Sequence, residues 1–158
     1  MTKVHVRRMR QMIEHLRRGK LGHLTFDMRG HTSFKGYDGD REKGSTVGEL
    51  PVLWPRSWRY AKGRHGWPIV VFKLEPDYWM KEEDQDLLFK WFGLPTETML
   101  NRIESSNLFG DQGKARLSLS RSHMTNLWTK ALKRMLVAKR KREIYLKGLK
   151  MTERISGR

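Results

Sequence analysis

The chain has 158 residues, no cysteine and six tryptophans, and its 33 Lys and Arg outnumber 17 Asp and Glu to give a formal net charge of +16. This length suits one domain of about 100–150 residues with an extension, and the lack of cysteine excludes disulfides, thiolate catalysis and cysteine-ligated zinc. No apolar run approaches the roughly 20 residues that span a bilayer, and the N-terminal segment lacks the apolar stretch of a signal peptide, so we expect neither membrane insertion nor export by that route.

The first predicted element is an amphipathic helix over residues 3–18. Its apolar positions recur at helical spacing and the pattern ends at a glycine. These residues are Val6, Met9, Ile13, Leu16 and Gly19. The glycine-rich stretch from Leu21 to Gly48 predicts loops that contain a hairpin, with β-like pieces at Leu24–Phe26 and His31–Lys35.

The middle of the chain predicts one strand followed by two helices. Trp67–Leu74 is rich in β-branched and aromatic residues and is closed by a proline, as is typical of a strand. Asp77 is the expected N-cap of a helix that runs to about Phe92. A shorter helix is expected from Thr96, and Gly110–Gly113 is the expected hinge.

A long helix is predicted over residues 121–150, which contain no proline and one glycine, Gly148. Serines just before it and at its start are expected to cap it: Ser118, Ser120 and Ser122. Five residues at helical spacing form an apolar face: Met124, Trp128, Ala131, Met135 and Ala138. We expect the first half of this helix to dock on the domain and the second half to project. The predicted fold class is mainly α (α+β): a compact aromatic-rich helical domain with a small β element over residues 1–111, and a basic, mainly helical extension over residues 112–158.

The positive charge is unevenly distributed. Residues 75–111 hold nine acidic and three basic residues, whereas residues 112–158 hold fourteen basic and two acidic ones. A helix with so many cations and so few acidic partners repels itself, and phosphates would relieve that repulsion in a largely sequence-independent way. We therefore expect DNA or RNA to contact the cations of the long helix and the arginines of the first helix. They are Lys130, Lys133, Arg134, Lys139, Arg140, Lys141, Arg142, Lys147 and Lys150, with Arg7, Arg8, Arg10, Arg17 and Arg18.

Two aromatic residues are candidates for stacking on unpaired bases. Trp58 and Tyr60 alternate with basic residues, whereas most tryptophans of a small domain are expected in its core.

Metal-dependent chemistry has weaker support. Residues Asp38–Glu49 place acidic residues at positions 1, 3, 5 and 12 of a calcium-loop pattern, but position 6 is Lys43 where such a loop needs glycine. A nuclease combining His23 or His31 with Asp27, Asp38 and Asp40 around Mg²⁺ is the least favoured function. We expect no metal, no cofactor and no enzymatic activity.

Four short segments carry a resemblance to known proteins: Phe26-Asp27-Met28, Gly44–Pro51, Trp91–Leu94 and Leu108-Phe109. Together they resemble a family of small proteins, without an assigned activity, that is common in bacteriophage and bacterial genomes. They match the family's F-[DN]-M, Cys-Gly-Thr…Gly-x-x-Pro, F-F-G-L and L-F pieces over about residues 9–109. The family's usual cysteines are absent, with Ser45 lying near one of them. The resemblance implies a phage-like origin and no catalytic residues, and the basic segment after Gly110 lies outside it.

The sequence thus predicts a small, basic, phage-like nucleic-acid-binding protein. The alternative is a protein-binding module that contacts an acidic or nucleic-acid-binding host protein, such as an inhibitor of a host or defence enzyme that blocks a nucleic-acid channel, or a virion component. The expected location is the cytoplasm (that of the host, if the chain is phage-encoded) or the virion. The pattern leaves DNA, RNA and protein partners open, and it does not fix the oligomeric state.

Overall fold

A computed structural model describes residues 1–18, 25–27, 32–34, 41–44, 46–62, 68–73, 86–94, 108 and 118–157. The fold is mainly helical with two small sheets. Helix α1 spans Lys3–Arg18, α2 spans Leu50–Leu53, α3 spans Asp86–Phe92 and α4 spans Arg121–Ser156. The predicted fold class, with its long basic C-terminal helix, is therefore confirmed.

Helices α1 and α4 pack against each other in antiparallel directions. At one end of the pair, the Nε atom of Arg121 donates a hydrogen bond to the carbonyl oxygen of Leu16. At the other end, Lys3 and Lys139 line a common groove. The predicted face of α1 is buried at Met9, Ile13 and Leu16, and Met12 joins it. Two helices from opposite ends of the sequence thus form the main helical layer.

Only the first half of α4 contributes to the core. Its buried residues are Met124, Thr125, Trp128, Ala131, Leu132 and Met135. Residues 140–157 are all exposed, so the predicted division into a docking half and a projecting half is confirmed. The side chain of Ser120 caps the helix by accepting a hydrogen bond at 3.1 Å from the backbone N–H of His123. Ser120 is one of the three serines that the sequence predicts as caps of this helix.

The two sheets are short. Four strands, β1 (Thr25–Asp27), β2 (Thr32–Phe34), β3 (Arg41–Gly44) and β6 (Ser118–Leu119), form one sheet in the order β2-β3-β1-β6. Strand β1 runs parallel to β3, whereas β2 and β6 are antiparallel to their neighbours. The two predicted β pieces, Leu24–Phe26 and His31–Lys35, correspond to β1 and β2. They do not pair with each other, because β3 lies between them in the sheet. Strand β2 pairs instead with β3, in a segment where the sequence predicts a loop.

The second sheet is an antiparallel pair. Strand β4 (Trp58–Lys62) pairs with β5 (Pro68–Phe72), and Trp58 lies opposite Phe72. Strand β5 confirms the strand predicted for Trp67–Leu74, while β4 was not predicted. A 3-10 helix (Thr46–Glu49) leads directly into α2 and places Thr46, Val47, Glu49 and Leu50 in the core.

Aromatic rings join these elements at the centre of the molecule. Trp58 packs edge-on against Trp91 with the ring centroids 5.5 Å apart, and Phe92 packs against Trp128 at 4.9 Å. Both Trp58 and Trp128 are completely buried. The core is therefore built from β4, α3 and α4 together, and the start of the basic extension belongs to it.

Helix α3 ends in a tight C-terminal turn at Gly93. The backbone N–H of Leu94 donates to the carbonyl of Phe89 at 2.8 Å, and that of Gly93 donates to Lys90 at 3.3 Å. This pair of bonds is the Schellman arrangement, which needs a left-handed residue after the helix. Gly93 has a φ of 66°. The helix predicted from Asp77 to Phe92 is confirmed over Asp86–Phe92. Its first part, the predicted helix from Thr96 and the hinge at Gly110–Gly113 lie outside the described residues.

Candidate nucleic-acid interface

A groove between α1 and the middle of α4 brings together cations from the two ends of the sequence. It has a volume of about 450 Å³, and its cations are Lys3, Arg7, Arg10 and Lys139. Val6 and Leu136 provide apolar contacts, and Gln11 and Glu14 complete the lining. With four cations and one carboxylate, the groove has a formal charge of +3. We call it the basic groove.

The sequence places Arg7 and Arg10 on one face of α1, because residues three or four apart share a face of an α-helix. Lys3 precedes Arg7 by one turn and belongs to the same face. It was not among the predicted residues, although this spacing was enough to identify it. All three side chains are exposed at the surface, whereas Lys139 is half-buried.

The end of α4 beyond the groove is strongly cationic. Residues 139–156, which we call the basic end, hold seven Lys and Arg against Glu143 and Glu153. Six of the predicted residues lie here: Lys139, Arg140, Lys141, Arg142, Lys147 and Lys150. Lys130, Lys133 and Arg134 are exposed on the docked half of α4, on the side away from the core. Because α1 is antiparallel to α4, the basic end extends past the N-terminus of α1, and the basic groove leads onto it.

Arg17 and Arg18 occupy the opposite end of α1 and have an acidic partner. Both lie near the carboxylate of Glu14, Arg18 at 3.4 Å and Arg17 at 3.9 Å, and both remain largely exposed. Exposed pairs of this kind contribute at most about 1 kcal/mol. Both arginines remain accessible to a polyanion, with part of their charge already balanced.

Arg8 has an internal role, so its prediction as a phosphate-binding residue is corrected. Its guanidinium lies 3.5 Å from the centroid of the Trp91 ring, and its Nη1 atom donates to the Trp91 carbonyl at 2.8 Å. Burial lowers the pKa of Arg8, and the nearby charge of Arg7 lowers it further. Arg8 lies 100° around the helix from Arg7 and is therefore turned towards α3 and half-buried, whereas Arg7 is exposed. It fixes α1 to the end of α3.

The two candidate stacking residues are also reassigned. Trp58 is completely buried among aromatic rings, so it has no face to offer to a base and that prediction is wrong. Tyr60 is half-buried, and its hydroxyl donates to the carbonyl of Gly48 at 2.6 Å. Strand alternation explains the pair, since Trp58 and Tyr60 share the inner face of β4 while Arg59 between them is exposed.

The segment that resembles a calcium loop contains a buried carboxylate with a different partner. Glu49 is fully buried, and its Oε2 lies 2.9 Å from Nε2 of His15. A carboxylate held in the core by α1 is not placed to act as the twelfth-position ligand of a calcium loop. Among the described residues, no group of three His, Asp or Glu side chains is arranged to hold a metal ion. His23, His31, Asp38 and Asp40 lie outside those residues.

No protein-family model matches the chain, and neither the curated proteins nor the solved structures include a match. The similarity to the phage and bacterial family therefore stays a prediction. In the described parts of the chain, no helix combines the length and the apolar character that crossing a bilayer requires.

Proposed function

We propose that the chain binds nucleic acid without sequence preference, through phosphate contacts made by the basic groove and the basic end of α4. The observation that carries this proposal is the meeting of Arg7 and Arg10 with Lys139 across the groove. These residues are separated by more than 120 positions in the sequence, and antiparallel packing of two helices brings them to one surface.

Electrostatics supports a polyanionic ligand. The basic end has a formal charge of +5 over residues 139–156, and a helix with this excess of cations repels itself. Phosphates neutralise that charge and release condensed counterions, which favours binding most at low salt. Arginine adds bidentate contacts to phosphate oxygens, and two arginines line the groove.

The proposal includes no reading of bases. Of the two aromatic candidates, Trp58 is buried and the Tyr60 hydroxyl is bonded within the fold. Phosphate contacts alone position a protein on a nucleic acid without specifying a sequence. We therefore expect similar affinities for unrelated sequences of the same length and form.

The proposal is tested by titrating labelled nucleic acid with the full chain across a range of salt. Duplexes of about 30 base pairs and single-stranded DNA and RNA serve as ligands at about 50–300 mM salt. We expect affinity to fall steeply with salt. Replacing Arg7, Arg10 and Lys139 together with Gln should lower the slope of log K against log salt by about 2–3 on duplex DNA, at about 0.9 per lost phosphate contact.

The matched control removes three other cations. Arg56, Arg59 and Lys73 are exposed and lie outside the groove and the basic end. Their triple replacement with Gln removes the same net charge and should leave the slope within about 0.5 of the original. An equal decrease of the slope in the two triple variants would mean that net charge alone determines binding. An absence of binding at about 150 mM salt would refute the proposal.

A further inference from the structure

The exposed half of α4 has an apolar stripe that faces away from the core. Val137, Ile144, Met151 and Ile155 are 54%, 61%, 63% and 73% exposed. At 100° per residue these four side chains centre roughly opposite the buried face formed by Met124, Trp128 and Met135. The stripe is therefore not a continuation of the docked face. It is a second apolar surface on the same helix, about 27 Å long at 1.5 Å per residue.

The spacing of this stripe is that of the d positions of a coiled-coil seam, completed by one apolar a position at Ile155. Val137, Ile144 and Met151 are seven residues apart, and Gly148 and Ile155 follow the last two by four. Apolar residues alternating at intervals of four and three are the a and d positions of a heptad repeat. With Val137 at d, the a positions are Lys141, Gly148 and Ile155. Isolated apolar side chains are common on surfaces, whereas four aligned on one helix face over this length are typical of an interaction site.

Cations border the stripe in the same register. The g positions, which flank the seam on one side, are occupied by basic residues in four successive heptads. They are Lys133, Arg140, Lys147 and Arg154. The e positions are the neutral residues Ala138, Tyr145 and Thr152, and the two glutamates lie elsewhere, at c and f.

This charge pattern selects the kind of helix that fits. In a parallel pair of identical helices, Lys141 would face Lys141, and in an antiparallel pair the cationic g rows would face each other. Like charges in either arrangement oppose self-association. A helix with Asp or Glu opposite Lys141 and opposite the g row would neutralise these cations and cover the apolar stripe.

We propose that this face of α4 binds an acidic amphipathic helix of a partner protein. The site is separate from the basic groove, because Lys139 occupies an f position on the far side of the helix from the stripe. The stripe and the groove are both accessible in one molecule, but Arg140, Lys141 and Lys147 belong both to the basic end and to the border of the stripe, so the two ligands share these cations.

The test measures binding of a labelled synthetic helix to the full chain at about 150 mM salt. The probe has about three heptads with Leu or Ile at its apolar a and d positions, Glu at e and g, and one Glu at the a position opposite Lys141. A second peptide has the same composition with the heptad order destroyed. We expect the heptad peptide to bind at least about tenfold more tightly than the permuted one. The double variant Ile144→Ser, Met151→Ser should abolish this difference.

Leu146→Ser is the matched control, because Leu146 is 44% exposed but lies on the opposite side of the helix. It should keep the tenfold preference, and the stripe variant should keep its affinity for nucleic acid. Equal binding of the two peptides, or an undiminished preference in the stripe variant, would overturn the proposal. So would a dimer of the chain alone that the stripe variant dissociates, or stripe-dependent binding to phosphatidylglycerol vesicles that displaces the peptide.

Discussion

Replacing Gly93 with alanine probes the contact between α1 and the end of α3. Gly93 has a φ of 66°, and a Cβ atom added there would overlap the imidazole ring of His5 and lie 2.8 Å from its Cβ. Rotating the imidazole relieves only part of this overlap, since the His5 Cβ is fixed to the backbone of α1. The two helices must therefore separate or the Schellman turn must open.

The expected cost has two parts. A residue with a Cβ in the left-handed region costs about 1–2 kcal/mol relative to glycine. Overpacking at a fixed contact adds about 1–3 kcal/mol. We expect Gly93→Ala to lower the free energy of unfolding by about 3 kcal/mol, a substantial share of the roughly 5–15 kcal/mol of a typical domain.

Urea unfolding followed by tryptophan fluorescence and far-UV circular dichroism measures this loss. A double-mutant cycle with His5→Ala separates the two parts, because shortening His5 removes the ring but leaves the left-handed strain. The double variant should be more stable than the sum of the single losses predicts, by about 1–2 kcal/mol. Coupling below about 0.5 kcal/mol would mean that His5 does not confine Gly93, and our account of the contact would be wrong.

The chain offers a matched control in Gly148. This glycine lies within α4, and a Cβ there meets nothing within 4 Å. The same change to alanine should therefore favour the helix locally by about 1 kcal/mol and leave the global midpoint unchanged or higher. If both variants lost similar stability, removal of a glycine and not the His5 contact would explain the result.

Two further predictions concern α1. Burial lowers the pKa of His5 below its ordinary 6.5, and the positive charges of the N-terminus and of Arg8 lower it further. The folded state therefore binds fewer protons than the unfolded state. The stability that results is fully present above pH 6.5 and is lost as the pH falls from 6.5 through the lower pKa of the folded state. Urea midpoints of the native chain should drop more between about pH 7.5 and 5.5 than those of His5→Asn, which keeps an acceptor for the Thr2 N–H but cannot be protonated. Arg8→Ala should cost about 2 kcal/mol of unfolding free energy, because it removes a charged hydrogen bond and a cation–π contact with Trp91. Arg10→Ala should cost under about 0.5 kcal/mol.

A different result would contradict each of these two predictions. Parallel pH profiles for the native chain and His5→Asn would show that other groups set the acid sensitivity. Arg8→Ala should lower the stability of the fold and leave the nucleic-acid affinity unchanged. Arg10→Ala should lower the nucleic-acid affinity and leave the stability nearly unchanged. Loss of affinity in a folded Arg8→Ala variant would return Arg8 to the proposed interface.

Regular periodicity made the long elements predictable. The buried face of α1 at Met9, Ile13 and Leu16 follows from helical spacing, and the Ser120 cap follows from the chemistry of helix starts. Strand β5 was also identifiable, because β-branched and aromatic residues bounded by prolines mark a strand. In each case, the local pattern and the tertiary contacts require the same structure.

The errors arose where distant contacts decide the role of a residue. Arg8 has the same chemistry and sequence context as Arg7, but Trp91, which lies 83 residues away, holds its guanidinium against α3. The parallel pairing of β1 with β3 likewise depends on a long connection that no local pattern specifies. Trp58 is different, because the alternation of apolar and basic residues in β4 is typical of a strand that buries its tryptophan, whereas we interpreted the alternation as a sign of exposure.

The two proposed surfaces of α4 are separate in space but coupled through charge. The stripe at Ile144 and Met151 and the groove at Lys139 lie on different sides of one helix, so a nucleic acid held in the groove and an acidic helix on the stripe do not overlap there. Each ligand neutralises part of the formal +5 of the basic end, however, and thereby weakens the attraction for the other. Salt screens this coupling, whereas apolar contacts along the stripe persist in salt. High salt therefore favours the helix over the polyanion, and low salt makes the two ligands compete for the same charge.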